Sequence, residues 1–244
     1  MKQDETGLTG KGKRITGIIS ALENEVILLK NSMDIETTES ISGMTFYKGK
    51  MNGCEVVLVQ CGRGKVNAGV CVQTLILRYD VNSIINTGVA GSLSSEINIG
   101  SIIISTDAVQ HDVDASALGH KRGTIPGNAL SIFPADEELR KSAATAAATV
   151  VPEKLVVEGR VCSGDQFVAD GAKKRSLGED FGAACCEMEG AAVAQVCIMN
   201  AIPFVLIRAI SDKADDLGHL SYQGLFEAVA RHNAAIVQNM IKIR

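Results

Sequence analysis

The chain has 244 residues, 46% of them hydrophobic, and its 24 basic and 28 acidic side chains give a formal net charge of −4. That length supports one sizeable core, so a single domain is expected. Lys and Arg are scattered rather than clustered, which argues against nucleic acid or a membrane surface as the partner, and no apolar run reaches the roughly 18 residues of a membrane span.

Residues 1–14 mix Lys, Gly, Thr and Asp without periodicity and read as a flexible tail, polar where a secretory signal would be apolar; a cytoplasmic location follows as an expectation. The domain is expected over 15–244. Its first elements are a buried strand at Ile15–Ser20 and a helix at Leu22–Lys30. An extended stretch Met44–Met51, the pair Asn52-Gly53 and a strand at Glu55–Cys61 form a predicted hairpin, because Asn-Gly suits the tight turn that antiparallel strands need. A helix at Lys65–Tyr79 follows, then strands at Ser83–Thr87 and Ser101–Ser105, a helix at Asp136–Val150 and a strand at Leu155–Cys162. The chain closes with a helix at Glu189–Met199, a strand at Pro203–Ile210 and a helix at Ser221–Ile243, the last with Leu225, Val229, His232, Ala235 and Ile236 on one face. This alternation predicts an α/β domain with a mixed, largely parallel central sheet flanked by helices, its ligand crevice outside the carboxyl ends of the strands.

The cysteine count, 7, is odd, and Cys54, Cys61, Cys71, Cys162 and Cys197 each lie in an apolar run, as free core thiols do. Cys185 and Cys186 are adjacent, which is neither a redox nor a zinc spacing, and the four histidines form no HExxH. No metal and no cofactor is expected.

Polar residues directly after buried strands mark the crevice. After the first strand, Glu23 reads as a partner of the helix dipole, whereas the local pattern leaves Glu25 open. The turn Cys61-Gly62-Arg63-Gly64-Lys65 suits either an anion at a helix start or a plain positive-φ turn, and matches neither a Walker A loop nor a dinucleotide fingerprint. Val89, Ala90 and Gly91 form a small-residue run that admits a ligand or close packing. Arg208 interrupts an apolar strand and needs a partner, structural or functional, with Ser211 and Asp212 at the strand end. Glu187 and Glu189 alternate and would share one side of an extended segment, and Phe167 stands in a polar turn where it could stack on a flat ligand or cover the core edge.

Taken in order, ALENEVILL, CGRGKVNAG, INTGVAGSL, VQHDVDASALG, SGDQF, CCEMEGAAVAQV and VLIRAISDKAD resemble the 5′-methylthioadenosine/S-adenosylhomocysteine nucleosidases, within the purine nucleoside phosphorylase and uridine phosphorylase superfamily. The resemblance runs from about Ile15 to the C-terminus. It implies a nucleoside phosphorylase-like fold and hydrolysis of the N-glycosidic bond of 5′-methylthioadenosine, S-adenosylhomocysteine and 5′-deoxyadenosine. By motif it makes Asp212 the general acid at adenine N7, assisted by Ser211, and Glu25 with Arg208 the pair that positions water. Glu189 would accept from the ribose hydroxyls, with Met188 against the sugar, Phe167 stacked on adenine and the Val168 backbone at its Watson–Crick edge. Leu22, Phe226 and a loop near Ala115–Pro126 would line the 5′-thioether pocket, partly from a second subunit, so a homodimer is implied.

Two positions depart from the family pattern. Val89 replaces a serine that relatives often carry near the water, and Arg63 replaces an aliphatic residue facing the 5′ substituent. An arginine there either runs along its stem to solvent or pairs with a carboxylate on that substituent, such as a homocysteine tail. Rival readings are a purine nucleoside phosphorylase, whose phosphate Glu25 would repel, an aminofutalosine hydrolase, and a non-catalytic nucleoside-binding protein.

Overall fold

The structure, a computed structural model, describes residues 14–213 and 222–243, with the side chains of the last helix described from 227 onward. Residues 1–13 of the expected tail and the side chains of Leu225 and Phe226 lie outside the described residues.

The first half of the chain is built of β1 (Ile15–Ser20), α1 (Glu23–Lys30), β2 (Met33–Ile41), β3 (Met44–Met51), β4 (Cys54–Gln60), α2 (Lys65–Tyr79), β5 (Ser83–Ser92) and β6 (Ile102–Gln110). The second half adds β7 (Ile132–Pro134), α3 (Glu137–Ala148), β8 (Val156–Ser163), α4 (Gly171–Phe181), β9 (Ala183–Glu187), α5 (Gly190–Met199), β10 (Phe204–Asp212) and α6 (Tyr222–Ile243). No described helix is long and apolar enough to cross a membrane.

All the strands join one sheet, and part of it closes on itself. β10 pairs with β5 and β6, β6 with β8, β8 with β9, and β9 returns to β5 through Gly91 opposite Cys186 and Ser92 opposite Cys185. From β5 the sheet continues outward as β1, β4, β3 and β2. The sheet is mixed as expected, but its antiparallel pairings match the parallel ones in number among the described strands. The two outer hairpins, two seams of the closed ring and the short β7 against β6 supply them.

The hairpin forms as its Asn-Gly pair demands: Met51 faces Cys54, and Asn52 (φ 49°) and Gly53 (φ 81°) both adopt the left-handed conformation. A second tight turn, Ser42-Gly43 (φ 53° and 78°), joins β2 to β3 and was not anticipated. β2 itself is an edge strand, MDIETTESI, with most side chains in water, so no burial pattern betrayed it.

Helices cover both faces. Ala68, Cys71, Val72 and Leu75 of α2 and Val193 and Cys197 of α5 share one core with Val57, Val59 and Ile84. Val26 of α1, Leu139 of α3 and Val229, Ile236 and Val237 of α6 form the opposite core over Ile18, Leu58 and Ile207. The buried face of α6 differs from the expected one: Asn233 and Ala234 are inside, while His232 and Ala235 are only half-buried. All seven cysteines are free and, apart from half-buried Cys54, enclosed.

Candidate active site

The carboxyl ends of β1, β5, β9 and β10 converge on a cavity of about 320 Å³ whose wall includes Leu22, Val89, Phe167, Met188, Glu189 and Asp212. Strand length explains part of this. β5 runs on to Ser92 and β10 to Asp212, beyond the expected ends, so both strands carry polar or small residues into the crevice. In a regular strand Ser211 and Asp212 would face opposite sides. A bulge between Ile210 and Asp212 re-aims the chain, and both residues line the cavity, buried, with Ser211 Oγ donating to Asp212 Oδ2 at 2.8 Å.

Arg208, on the same strand, is buried at 1% exposure, and every donor group it has is engaged. Nη2 and Nε donate to Glu187 Oε2 at 2.8 and 3.2 Å, Nη1 to the carbonyls of Asn86 and Ile207 at 2.9 Å each, and Nη2 also to Asn86 Oδ1. None of these bonds goes to Glu25. Glu187 is thus the counter-charge that the sequence left unspecified, and it also accepts from the Ser163 hydroxyl and from the Glu189 and Gly190 amides that open α5.

The Glu187–Glu189 segment is not extended throughout: β9 ends at Glu187, and Glu189 (φ −130°, ψ −41°) caps the next helix. Both carboxylates still line the cavity. Glu189 Oε1 accepts from the Gly64 amide at 2.7 Å. Burial, together with the charge of Glu187, pushes the Glu189 carboxyl up to about 7.

Glu25 is completely buried and sits behind the cavity rather than on its lining. Asn233 Nδ2 donates both to Glu25 Oε1 at 2.6 Å and to the Gly88 carbonyl of the cavity wall at 2.8 Å, and the Ser20 hydroxyl donates to Glu25 Oε2. Burial raises the Glu25 carboxyl above its ordinary range, against the lowering effect of those two hydrogen bonds and of the Arg208 charge. Asn233 lies 208 residues away in sequence; an amide on the apolar face of α6 was the one signal that pointed to it.

Phe167, 61% exposed, stands at the rim, and Val168 is buried beside it. Ala90, Gly91 and Arg63 are also on the lining. The Ala115–Pro126 loop is not: its residues Lys121–Thr124 border a separate hollow with Arg160 and Phe181. Chemically, the cavity joins an apolar, partly aromatic wall to carboxylates at different depths, the arrangement that proton transfer to and from a flat polar ligand requires.

Residues 15–242 match the family model described as the phosphorylase superfamily. A 5′-methylthioadenosine/S-adenosylhomocysteine nucleosidase of Psychromonas ingrahamii is 39% identical over 92% of this chain and 97% of its own length. Among solved structures, the nucleosidase of Neisseria meningitidis in complex with methylthio-immucillin-A superposes with a TM-score of 0.90 and 33% identity, over 95% of this chain and 100% of that one. Futalosine hydrolase of Helicobacter pylori gives 0.89 and 31%, over 95% of this chain and 99% of that one.

Proposed function

The chain belongs to the phosphorylase superfamily, in its family of 5′-methylthioadenosine/S-adenosylhomocysteine nucleosidases, and we propose that it hydrolyses the N-glycosidic bond of 5′-methylthioadenosine, S-adenosylhomocysteine and 5′-deoxyadenosine to release adenine. The difficulty of that reaction is the leaving group, because an adenine anion departs badly. Asp212, at the strand end with Ser211 as its hydrogen-bond donor, protonates N7 as the C–N bond lengthens and the ribosyl ring gains positive charge. Glu189 accepts from the ribose hydroxyls with Met188 against the sugar, and Phe167 stacks on the base, whose edge the Val168 backbone reads. Glu25 takes the proton from the attacking water, which must reach the carboxylate from the cavity past the Gly88 wall to which Asn233 ties it. Arg208 contributes through its charge, and Asn233 and Ser20 hold the Glu25 carboxylate.

One observation carries the choice of water over phosphate as nucleophile. The buried guanidinium at the cavity, Arg208, is already neutralised by Glu187 at 2.8 Å. Phosphate entering beside that pair would meet Glu187, Glu189 and, behind the wall, Glu25, and the one uncommitted cation on the described lining, Arg63, has an exposed side chain. That disfavours a phosphorylase. The functional carboxylates are all retained, which disfavours a binding protein without chemistry.

The working form is a cytoplasmic homodimer in this reading. Val66, Val70 and Leu77 lie on one exposed face of α2, exposed Met199 ends the neighbouring α5, and the 5′ pocket lacks the Ala115–Pro126 loop from its own chain. Sedimentation equilibrium tests the dimer. For the reaction, purified protein incubated with 5′-methylthioadenosine is expected to release adenine, and absence of adenine at any enzyme concentration overturns the proposal.

A further inference from the structure

The turn between β4 and α2 holds Arg63 between two left-handed glycines, Gly62 (φ 76°) and Gly64 (φ 96°), and Asn67 Nδ2 clamps the Arg63 carbonyl at 2.7 Å. The backbone is therefore fixed, while the side chain is exposed and lines the cavity. Its guanidinium makes no hydrogen bond or ion pair among the described residues. The carboxylates beside the turn are held by its backbone and not by Arg63: Glu189 accepts from the Gly64 amide at 2.7 Å and Asp165 from the Lys65 amide at 2.8 Å. The other arginine of the cavity, Arg208, is paired with Glu187. Arg63 is thus the uncommitted positive charge of the described lining, which it shares with the apolar groups of Ala21, Leu22 and Met188.

Its place along the cavity is also defined. The amide of Gly64, the next residue, binds Glu189, the carboxylate assigned to the ribose, so Arg63 stands at the sugar end and not at the adenine end marked by Asp212. We infer that Arg63 is a specificity residue that pairs with a carboxylate on the 5′ substituent, so that the enzyme favours 5′-substituted adenosines whose tail bears a carboxylate over those whose tail has none. This inference rests on the proposed nucleosidase reaction and names its substrate class. A guanidinium meets a carboxylate through two parallel hydrogen bonds, a geometry that a thioether methyl cannot engage. Two tails carry that group, homocysteine and the aromatic carboxylate of aminofutalosine.

The test compares kcat/KM for 5′-methylthioadenosine, S-adenosylhomocysteine and aminofutalosine in the wild-type protein, Arg63→Met and Arg63→Lys. Arg63→Met is expected to lower the ratio of carboxylate-tailed to neutral substrate about tenfold, mainly through KM, as removal of one charge-assisted contact at a partly solvated site does. Arg63→Lys, which keeps the charge but not the paired hydrogen bonds, is expected to give a ratio between those of the wild type and Arg63→Met. Added salt lowers it in the wild type and not in Arg63→Met. The substrate whose ratio falls identifies the tail. Adenine release from all three substrates with ratios that Arg63→Met leaves unchanged overturns the inference while sparing the nucleosidase reading. Release from none of them overturns both.

Discussion

Arg208 and Glu187 form an ion pair with Nη2 and Oε2 2.8 Å apart and side chains only 2% and 4% exposed, at the junction of β10 with the start of α5. It reconciles a charge inside an apolar strand with a packed core. Space around it is tight: a Cβ added at Gly190 would come within 2.7 Å of Leu206 Cδ1, 3.0 Å of Arg208 Nη2 and 3.1 Å of Glu187 Oε1.

Removing one member of this pair leaves the other charge buried alone. Glu187→Ala is expected to destabilise the fold by about 3–5 kcal/mol, and Glu187→Gln by less because it retains hydrogen bonding. Urea denaturation reads this as a lowered midpoint at constant m-value. A loss below about 1 kcal/mol, the range of an exposed pair, would contradict the buried pairing.

Asp212→Asn keeps the shape of the side chain but delivers no proton. It is expected to bind 5′-methylthioadenosine and to lose at least about 100-fold in turnover, the usual scale of general acid catalysis. Glu25→Gln should likewise bind and fail to hydrolyse. Calorimetric binding alongside adenine release checks both, and wild-type rates in either variant contradict the assigned roles.

The raised Glu25 carboxyl has a consequence for pH. In the proposed role Glu25 must be ionised to take a proton from water, so the acid limb of kcat/KM is expected above the ordinary carboxylate range. Asn233→Ala removes a hydrogen bond that favours the ionised form, and the limb is expected to move to higher pH. A shift to lower pH contradicts the account.

Glu189 provides a separate, stability-based check. Its folded value near 7 lies above the ordinary 4.5, so the folded state holds more protons than the unfolded chain between those values. The stability linked to this group is full below 4.5 and is lost as the pH rises through about 7. Glu189→Gln should flatten that slope in denaturation measured from pH 4 to pH 8.

Much of the fold was legible because burial leaves periodic traces. Lys65–Tyr79 reads directly as a helix, and Ile15–Ser20 as a strand buried on both faces. What was missed lacks such traces. In α4, GAKKRSLGEDF, Leu177 and Phe181 alone are buried, and β9 is a short run of Ala and Cys before Glu187. The cavity-facing positions followed from motif order, since strand ends recur as ligand contacts. The partners of Arg208 and Glu25 did not, because Glu187 and Asn233 meet them only through tertiary pairing across 21 and 208 residues.

Thiol accessibility tests the core. Burial pushes Cys61 and Cys186 up to about 12 and raises Cys71, Cys162, Cys185 and Cys197 as well. A thiol reagent such as Ellman's is expected to label at most half-buried Cys54 rapidly in the native protein and all seven cysteines after unfolding. Rapid native labelling of several would contradict the enclosed core.

Water and phosphate attacking the anomeric carbon leave different sugar products. The most direct measurement follows 5′-methylthioadenosine consumption by the purified protein with and without phosphate and identifies the sugar product by mass. Free methylthioribose, formed at a rate that phosphate does not change, is the expected product. Methylthioribose 1-phosphate, formed only when phosphate is present, would contradict attack by water.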